Sequence, residues 1–134
     1  MRLPTDLQIL NVIYERYYDT FSTFAEKGSS RSSKIFVPID IEEIAKDIGV
    51  DVDIVFGRLY YHLDEKYGYK RKDAPRVCLF TPVAGDDLNC VNFPYAASIL
   101  ADLRQENRKY RIATSIAVFS LIISVIATLI AVFL

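Results

Sequence analysis

The sequence has little of what most catalytic and metal sites require. It contains one histidine, His62, two cysteines, Cys78 and Cys90, and no tryptophan. Two thiols and a distant imidazole do not provide the closed four-ligand pattern of a structural zinc site. No serine lies in a nucleophile-elbow context, and no glycine-rich loop is present to cradle phosphate. The sequence therefore predicts no metal, no cofactor, no small-molecule substrate and no enzyme activity.

The segment from Ile112 to Leu134 lacks charge, proline and glycine altogether. As an α-helix with a rise of about 1.5 Å per residue it is about 35 Å long, which exceeds the roughly 30 Å of a bilayer's hydrocarbon core. A soluble protein this small offers no place to bury a helix that is apolar on every side. We therefore expect one transmembrane helix in a tail-anchored, single-pass protein whose first partner is the lipid bilayer.

A basic collar precedes the apolar segment. Its four cations are Arg104, Arg108, Lys109 and Arg111. Because basic residues that flank a span stay on the cytoplasmic side, we expect the N-terminus to lie inside, at the inner membrane if the cell is bacterial. The collar is expected to contact anionic lipid headgroups. In that reducing compartment Cys78 and Cys90 are predicted to be thiols rather than a disulfide.

Charge and length divide the rest of the chain. Residues 1–103 hold twelve basic and sixteen acidic residues, a balance of −4, whereas residues 104–111 carry +3. An acidic domain argues mildly against binding nucleic acid by phosphate neutralisation alone. The length leaves room for one modest core. We assign residues 1–94 to a cytoplasmic domain, residues 95–111 to a basic juxtamembrane helix and residues 112–134 to the transmembrane helix.

A capping signal predicts the first helix. Thr5 is placed as its N-cap, with Gln8 three residues later as in a capping box. Apolar and aromatic residues recur at helical spacing up to an end expected near Lys27. The polar run at 28–33 is expected to be a surface loop, with a modification site as the alternative. Ile35 to Ile39 is expected to form a short strand.

Two further helices and a hairpin follow. Asp40 and Glu43 form a second capping-box pattern, and Gly49 ends that short helix. Helical spacing of apolar residues predicts another helix over Val52–Tyr67. After it, two short apolar runs predict a β-hairpin.

The hairpin is expected to have a long tip, with its turn centred near Ala84. That register places Cys78 opposite Cys90, Phe80 opposite Leu88 and Arg76 opposite Asn92. The thiol pair is interpreted as small core filling, with a redox switch as the alternative.

From Ile35 to Phe93 the order strand, helix, glycine turn, helix and two-stranded hairpin resembles a winged helix-turn-helix domain. The residues that carry the resemblance are IEEIAKDIGV at 41–50 and LDEKYGY at 63–69. The resemblance implies an α+β fold of three helices and a short β-hairpin wing, here followed by a long helix that continues into the transmembrane span. It also implies that the helix from Asp51 to Tyr67 would enter a DNA major groove, with the hairpin touching the backbone.

Six basic residues are candidates for nucleic-acid contact: Arg58, Lys66, Lys70, Arg71, Lys72 and Arg76. The sequence departs from a DNA reader at the start of the recognition helix, where Asp51 and Asp53 would point carboxylates at phosphates, although both also suit helix capping. A solvated basic turn and contact with anionic lipid remain alternative interpretations of the cluster.

Small residues form one stripe along the predicted transmembrane helix: Ala113, Ala117, Ser120, Ser124, Ala127 and Ala131. Such a stripe lets two helices approach closely in lipid, and its seven-residue period predicts a left-handed crossing. We expect a homodimer through one helix running from about Tyr95 to Leu134.

Two binding functions remain open for this membrane-anchored module, and a third class, a small membrane-active effector whose span does the work, ranks below both. In the first, it is a transcription regulator or DNA tether that uses the basic cluster. In the second, it is a protein adaptor that recruits a cytosolic partner through the surface around Tyr60, Tyr61 and Tyr67. The acidic start of the recognition helix favours the second, whereas the resemblance to the winged helix-turn-helix family favours the first, and the two considerations nearly cancel.

Overall fold

The computed structural model describes residues 2–25 and 31–134 and shows an α+β protein. In chain order its elements are α1 (Asp6–Ser22), β1 (Phe36–Pro38), α2 (Ile41–Ile48), α3 (Val52–Gly57), a π-helical segment (Arg58–Leu63), α4 (Asp64–Tyr67), β2 (Phe80–Ala84), β3 (Asp87–Asn92) and α5 (Phe93–Phe133). The expected α+β class and long C-terminal helix are confirmed. The chain divides into two compact units, Met1–Leu100 and Ala101–Leu134.

Helix α1 begins where its capping signal predicts and ends earlier than expected. The hydroxyl of Thr5 accepts a hydrogen bond from the Gln8 N–H at 3.1 Å. At the other end, the N–H and the hydroxyl of Thr23 both donate to the Asp19 carbonyl, at 3.0 and 2.6 Å, which closes the last turn. The predicted end near Lys27 is therefore wrong. Lys27 itself and residues 28–30 of the predicted loop at 28–33 lie outside the described residues.

Both ends of α2 are formed as the sequence predicts. The Asp40 carboxylate accepts the Glu43 N–H at 3.3 Å, and Gly49 takes the left-handed conformation at a φ of 87°. A side chain at that φ would be strained, so the glycine ends the helix at low cost. The face formed by Ile41 and Ile44 is buried, which fixes α2 against the core.

The predicted helix over Val52–Tyr67 is present, but its centre is π-helical. Val55, Leu59 and Leu63 are fully buried and recur at a strict four-residue spacing. An α-helix of 3.6 residues per turn rotates such a series away from one face, whereas the wider turn of a π-helix reduces that rotation. The π segment from Arg58 to Leu63 thus keeps these side chains directed into the core.

The sheet has the order β1-β3-β2, with both pairs antiparallel. The predicted hairpin exists, but its predicted register is wrong. Thr81 is opposite Cys90, Phe80 is opposite Val91 and Val83 is opposite Leu88. Both cysteines are free thiols. The prediction of thiols rather than a disulfide is thus confirmed, whereas the predicted position of Cys78 opposite Cys90 across the hairpin is wrong, because Thr81 takes that place.

The physical reason for this error lies at the tip of the hairpin. Only Gly85 and Asp86 connect β2 to β3, because Gly85 accepts a positive φ of 61° that suits a two-residue turn. Pro82 suggested a loop from the sequence. It lies instead in the edge strand β2, where a missing N–H is tolerated.

The carboxylate of Asp64, at the start of α4, joins the helix over residues 52–67 to the sheet. Asp64 Oδ1 accepts the backbone N–H groups of Leu79 and Phe80 at 2.8 and 3.2 Å. Its Oδ2 accepts a hydrogen bond from Arg76 Nη1 at 3.0 Å. Because these backbone donors precede or open β2, the charge of Asp64 satisfies them at the point where the chain enters the sheet.

Helix α5 starts inside the folded unit. Its start follows Asn92, whose side-chain oxygen accepts the Tyr95 N–H at 3.3 Å. Phe93 is buried and stacks on Tyr14 and Phe21 of α1, with ring centroids 5.6 and 4.8 Å apart. Ala96, Ile99 and Leu100 are also buried. The first two turns of α5 are therefore part of the core of the unit Met1–Leu100.

The later part of α5 is a candidate membrane span. Among the described residues it is the one helix long and apolar enough to cross a membrane, with a mean hydropathy of 2.9 in its most apolar stretch. None of that stretch is buried inside the protein. The expected single apolar helix at this end of the chain is thus present.

Candidate functional site

The six predicted nucleic-acid contacts fall into two groups in the structure. Arg58, Lys66 and Arg76 form ion pairs with carboxylates of the same chain. Lys70, Arg71 and Lys72 are exposed, and the described part of the chain shows no ion pair for them. The basic cluster seen in the sequence is therefore not one continuous positive surface.

Asp6, in the first turn of α1, forms ion pairs with two of these cations, Arg58 and Lys66. Its Oδ1 accepts a hydrogen bond from Arg58 Nη2, and its Oδ2 lies 3.1 Å from Lys66 Nζ. Arg58 Nη1 also donates to the Pro4 carbonyl. His62 Nδ1 is 3.7 Å from Asp6 Oδ1. No local sequence pattern predicts this cluster, because Asp6 and Lys66 are far apart in the chain.

Two opposing effects set the pKa of Asp6. Burial opposes its ionisation, but hydrogen bonds from Lys66 and Arg58 prevail and lower the pKa of the carboxyl below its ordinary value of 3.8. The same contact with Asp6 raises the pKa of Lys66. Both cations are thus engaged in ion pairs with Asp6 in the folded chain.

Arg76 is fixed in a similar way. Its Nη1 lies 3.0 Å from Asp64 Oδ2, and its Nη2 donates to the Asp64 carbonyl at 2.8 Å. Nη1 also lies 3.3 Å from Cys78 Sγ. The hydrogen bond with Cys78 and the charge of Asp64 together raise the pKa of the guanidinium.

The three remaining cations lie in the seven-residue loop between Tyr69 and Val77. Tyr69 and Val77 exchange backbone hydrogen bonds of 3.0 and 2.7 Å across its base. Within the loop, Asp73 has a positive φ of 60°. Lys70, Arg71 and Lys72 project from a closed loop that the bridge holds beside the end of α4.

The helix formed by α3 and the π segment exposes acids and aromatic rings. Asp51 caps α3 by accepting the Asp53 N–H at 2.8 Å, as its capping interpretation predicts. Further along, Phe56 stacks on Tyr60 at 5.5 Å, and Tyr60 meets Tyr61 edge-on at 4.9 Å. Tyr61 is 73% exposed. We call Phe56, Tyr60 and Tyr61 the aromatic ridge.

A groove of about 540 Å³ lies between the starts of α2 and α3 and strand β3. Its apolar lining comes from Ile39, Ile41, Val52, Phe56 and Leu88, and its acidic lining from Asp40, Glu42 and Asp53. We call it the acidic groove. Sequence reasoning missed it because the wrong hairpin register paired Leu88 with the buried Phe80. In the observed register Leu88 faces the exposed Val83 and is itself 66% exposed.

The remaining predicted residues lie on α5. The small-residue stripe, Ala113, Ala117, Ser120, Ser124, Ala127 and Ala131, is exposed along the apolar part of the helix. The collar cations Arg104, Arg108, Lys109 and Arg111 are exposed on the preceding turns. The structure thus presents both sets on one continuous helix.

Comparison with known proteins gives no match to a protein-family model, a curated protein or a solved structure. Function is therefore inferred from the geometry and charge of the chain.

Changing Asp6 to Asn is expected to reduce stability at pH 7 by about 2 kcal/mol, because it removes a hydrogen-bonded charge from Arg58. A lowered carboxyl pKa stabilises the fold fully above the unfolded value of about 3.9 and loses this effect as pH falls through the folded pKa. The deficit of the variant should therefore begin to shrink as pH falls below about 3.8 and disappear once pH lies below the lowered pKa of the folded state. Thermal unfolding of the full chain in detergent across this range measures it.

The exposed Asp19→Asn on the same helix is the control. A deficit for Asp6→Asn that persists unchanged into the acid range would contradict the assignment of this stability to the ionised carboxylate.

Proposed function

We propose that the protein is a membrane-anchored, winged-helix-like adaptor whose folded unit binds a cytosolic protein. The observation that carries the proposal is the solvent-exposed surface formed by the aromatic ridge and the neighbouring Leu88 of the hairpin, which lines the same groove as Phe56. Tyrosine and other aromatic side chains are enriched in protein interfaces, where they bury large area at low entropic cost.

The order of the elements supports the winged-helix part of this proposal. Strand β1 stands between α1 and α2, and the sheet order β1-β3-β2 makes β1 a third strand beside the hairpin. The helical stretch over residues 52–67 corresponds to the recognition helix of that family, and β2–β3 corresponds to its wing.

The charges on these elements favour a protein partner over DNA. In a winged-helix reader, the start of the recognition helix and the wing face the DNA. Here those positions carry Asp51, Asp53 and Asp86 as well as the exposed apolar Val83 and Leu88. Like-charged carboxylates facing phosphates oppose binding, and direct base contact has no Asn, Gln or free Arg available on α3.

The apolar part of α5 supplies the anchor in this proposal. The collar of Arg104, Arg108, Lys109 and Arg111 supports an orientation with the folded unit in the cytoplasm, because flanking cations are retained on that side. The same cations would contact anionic headgroups. The anchor then confines the binding surface to the neighbourhood of the membrane.

A photo-crosslinking amino acid at Tyr61 tests this function in the protein's native cells. We expect a discrete adduct with a cytosolic protein, because the ring is exposed on the proposed binding surface. Mass spectrometry identifies the adduct. The same amino acid at Tyr18, an exposed position of α1, is the control. Equal adducts from both positions, or adducts only with proteins outside the cytosol, would refute the proposal.

A second candidate function, a DNA tether, is favoured by the exposed turn at Lys70, Arg71 and Lys72. Fluorescence anisotropy of duplex DNA with the full chain in zwitterionic nanodiscs, at about 50 and about 200 mM salt, separates the two candidates. For an adaptor we expect no binding at the lower salt. Binding that falls steeply with salt and disappears when all three cations become Glu would instead establish the tether.

The small-residue stripe supports a homodimer through α5, because small side chains let membrane helices pack closely. Changing Ala117, Ser120 and Ser124 together to Leu should reduce energy transfer between labelled chains in bilayers. Changing Phe119, Ile122 and Ile126 to Leu on the opposite face is the matched control. Energy transfer that both triple variants leave unchanged would rule out this interface.

A further inference from the structure

The acidic groove has apolar lining residues and is open to solvent. Ile41 is almost fully buried, whereas Leu88 is 66% exposed on the other side of the groove. Phe56 lines it as well and packs edge-on against Phe80, with ring centroids 5.9 Å apart. A volume of about 540 Å³ falls within the range of roughly 300–1,000 Å³ found for ligand sites. It suits one or two bulky side chains rather than a whole helix.

The charges of the groove have a single sign. Asp40, Glu42 and Asp53 contribute carboxylates to its lining, and no cationic residue lines it. All three are exposed. Asp40 caps α2, and Glu42 lies 3.8 Å from Lys46, a contact of two exposed groups. The described residues show no cation paired with Asp53.

The aromatic ridge extends the groove along the helix. Phe56 belongs to both, since it lines the groove and stacks on Tyr60. Tyr60 in turn contacts the highly exposed Tyr61. An extended segment seated in the groove can therefore continue over aromatic faces, which attract Lys and Arg as cation–π partners.

We propose that the acidic groove binds a short protein segment in which one bulky apolar side chain is flanked by Lys or Arg. This inference rests on the proposed adaptor function and names the chemistry of its partner. The apolar side chain fills the space beside Ile41, Phe56 and Leu88 and provides most of the affinity. The flanking cations meet the three carboxylates.

The two contributions differ in size and in salt dependence. An exposed ion pair is worth at most about fivefold in affinity, so the carboxylates mainly select the sequence and speed the encounter. Burying the apolar side chain is independent of this screening. Binding should accordingly weaken with salt without being abolished.

The test uses the full chain in zwitterionic nanodiscs and a displayed library of short random peptides. We expect selected peptides to share a bulky apolar residue next to Lys or Arg. Synthetic copies should bind about tenfold more weakly to Glu42→Gln/Asp53→Asn than to the unaltered chain. The charge-matched control is Asp19→Asn/Asp86→Asn, at exposed acids outside the groove.

A second pair of variants tests the apolar contact. Leu88→Ala is expected to weaken binding about tenfold, whereas Val83→Ala is expected to leave it unchanged. These two residues are opposite each other in the hairpin and similarly exposed, but only Leu88 lines the groove. Equal thermal unfolding midpoints for the four variants would exclude loss of the fold as the cause.

The possible outcomes distinguish failure of this inference from failure of the proposed adaptor function. If Tyr61 gives adducts but the groove variants bind the peptides as well as the unaltered chain does, the inference is overturned and the adaptor function is retained. Absence of both adducts and selected peptides overturns both. Selected peptides without basic residues, or self-association of the chain that Leu88→Ala abolishes, overturn the proposed partner chemistry.

Discussion

The carboxylate of Asp6 holds the start of α1 against the helix that follows α2, and much of the surface chemistry depends on that contact. Its partners Arg58 and Lys66 stand on the π segment and on α4. Removing one member of a largely buried pair leaves an uncompensated charge, which is why such contacts are costly to break. By pairing with these two cations, Asp6 also offsets part of their positive charge, while the Lys66 side chain remains 51% exposed.

Other arginines of the folded unit serve the fold in the same way. Arg16 bridges from α1 to Glu43 and Asp47 of α2, at 3.0 and 2.7 Å. The buried Arg31 donates to backbone carbonyls, including that of Ser33 at 2.9 Å. These contacts engage cations and carboxylates alike, so they hold the elements together without changing the net charge of the unit.

Features that depend on residues close together in the chain could be predicted from the sequence. Features that depend on residues far apart in the chain could not. The caps at Thr5 and Asp40 and the glycine stop at Gly49 follow from residues within one helical turn, and all are present. The prediction of the hairpin register is wrong because proline is typical of loops, and the predicted hairpin places Pro82 in one. The sheet order, which the sequence does not reveal, puts Pro82 in an edge strand, where proline is tolerated. The acidic groove depends on that register and on packing between three elements, so no local pattern could reveal it.

Helix α5 has a consequence for how the folded unit can be separated from the apolar helix. Its first turns contribute Phe93, Ala96, Ile99 and Leu100 to the core. A protease that cuts before Leu100 would remove buried side chains from the product and leave cavities behind, which destabilise a small core. Only cleavage after Leu100 and before the apolar run at Ile112 releases a fragment that keeps its whole core. Proteolysis that separates an intact folded unit from the apolar helix must therefore act within that short helical interval.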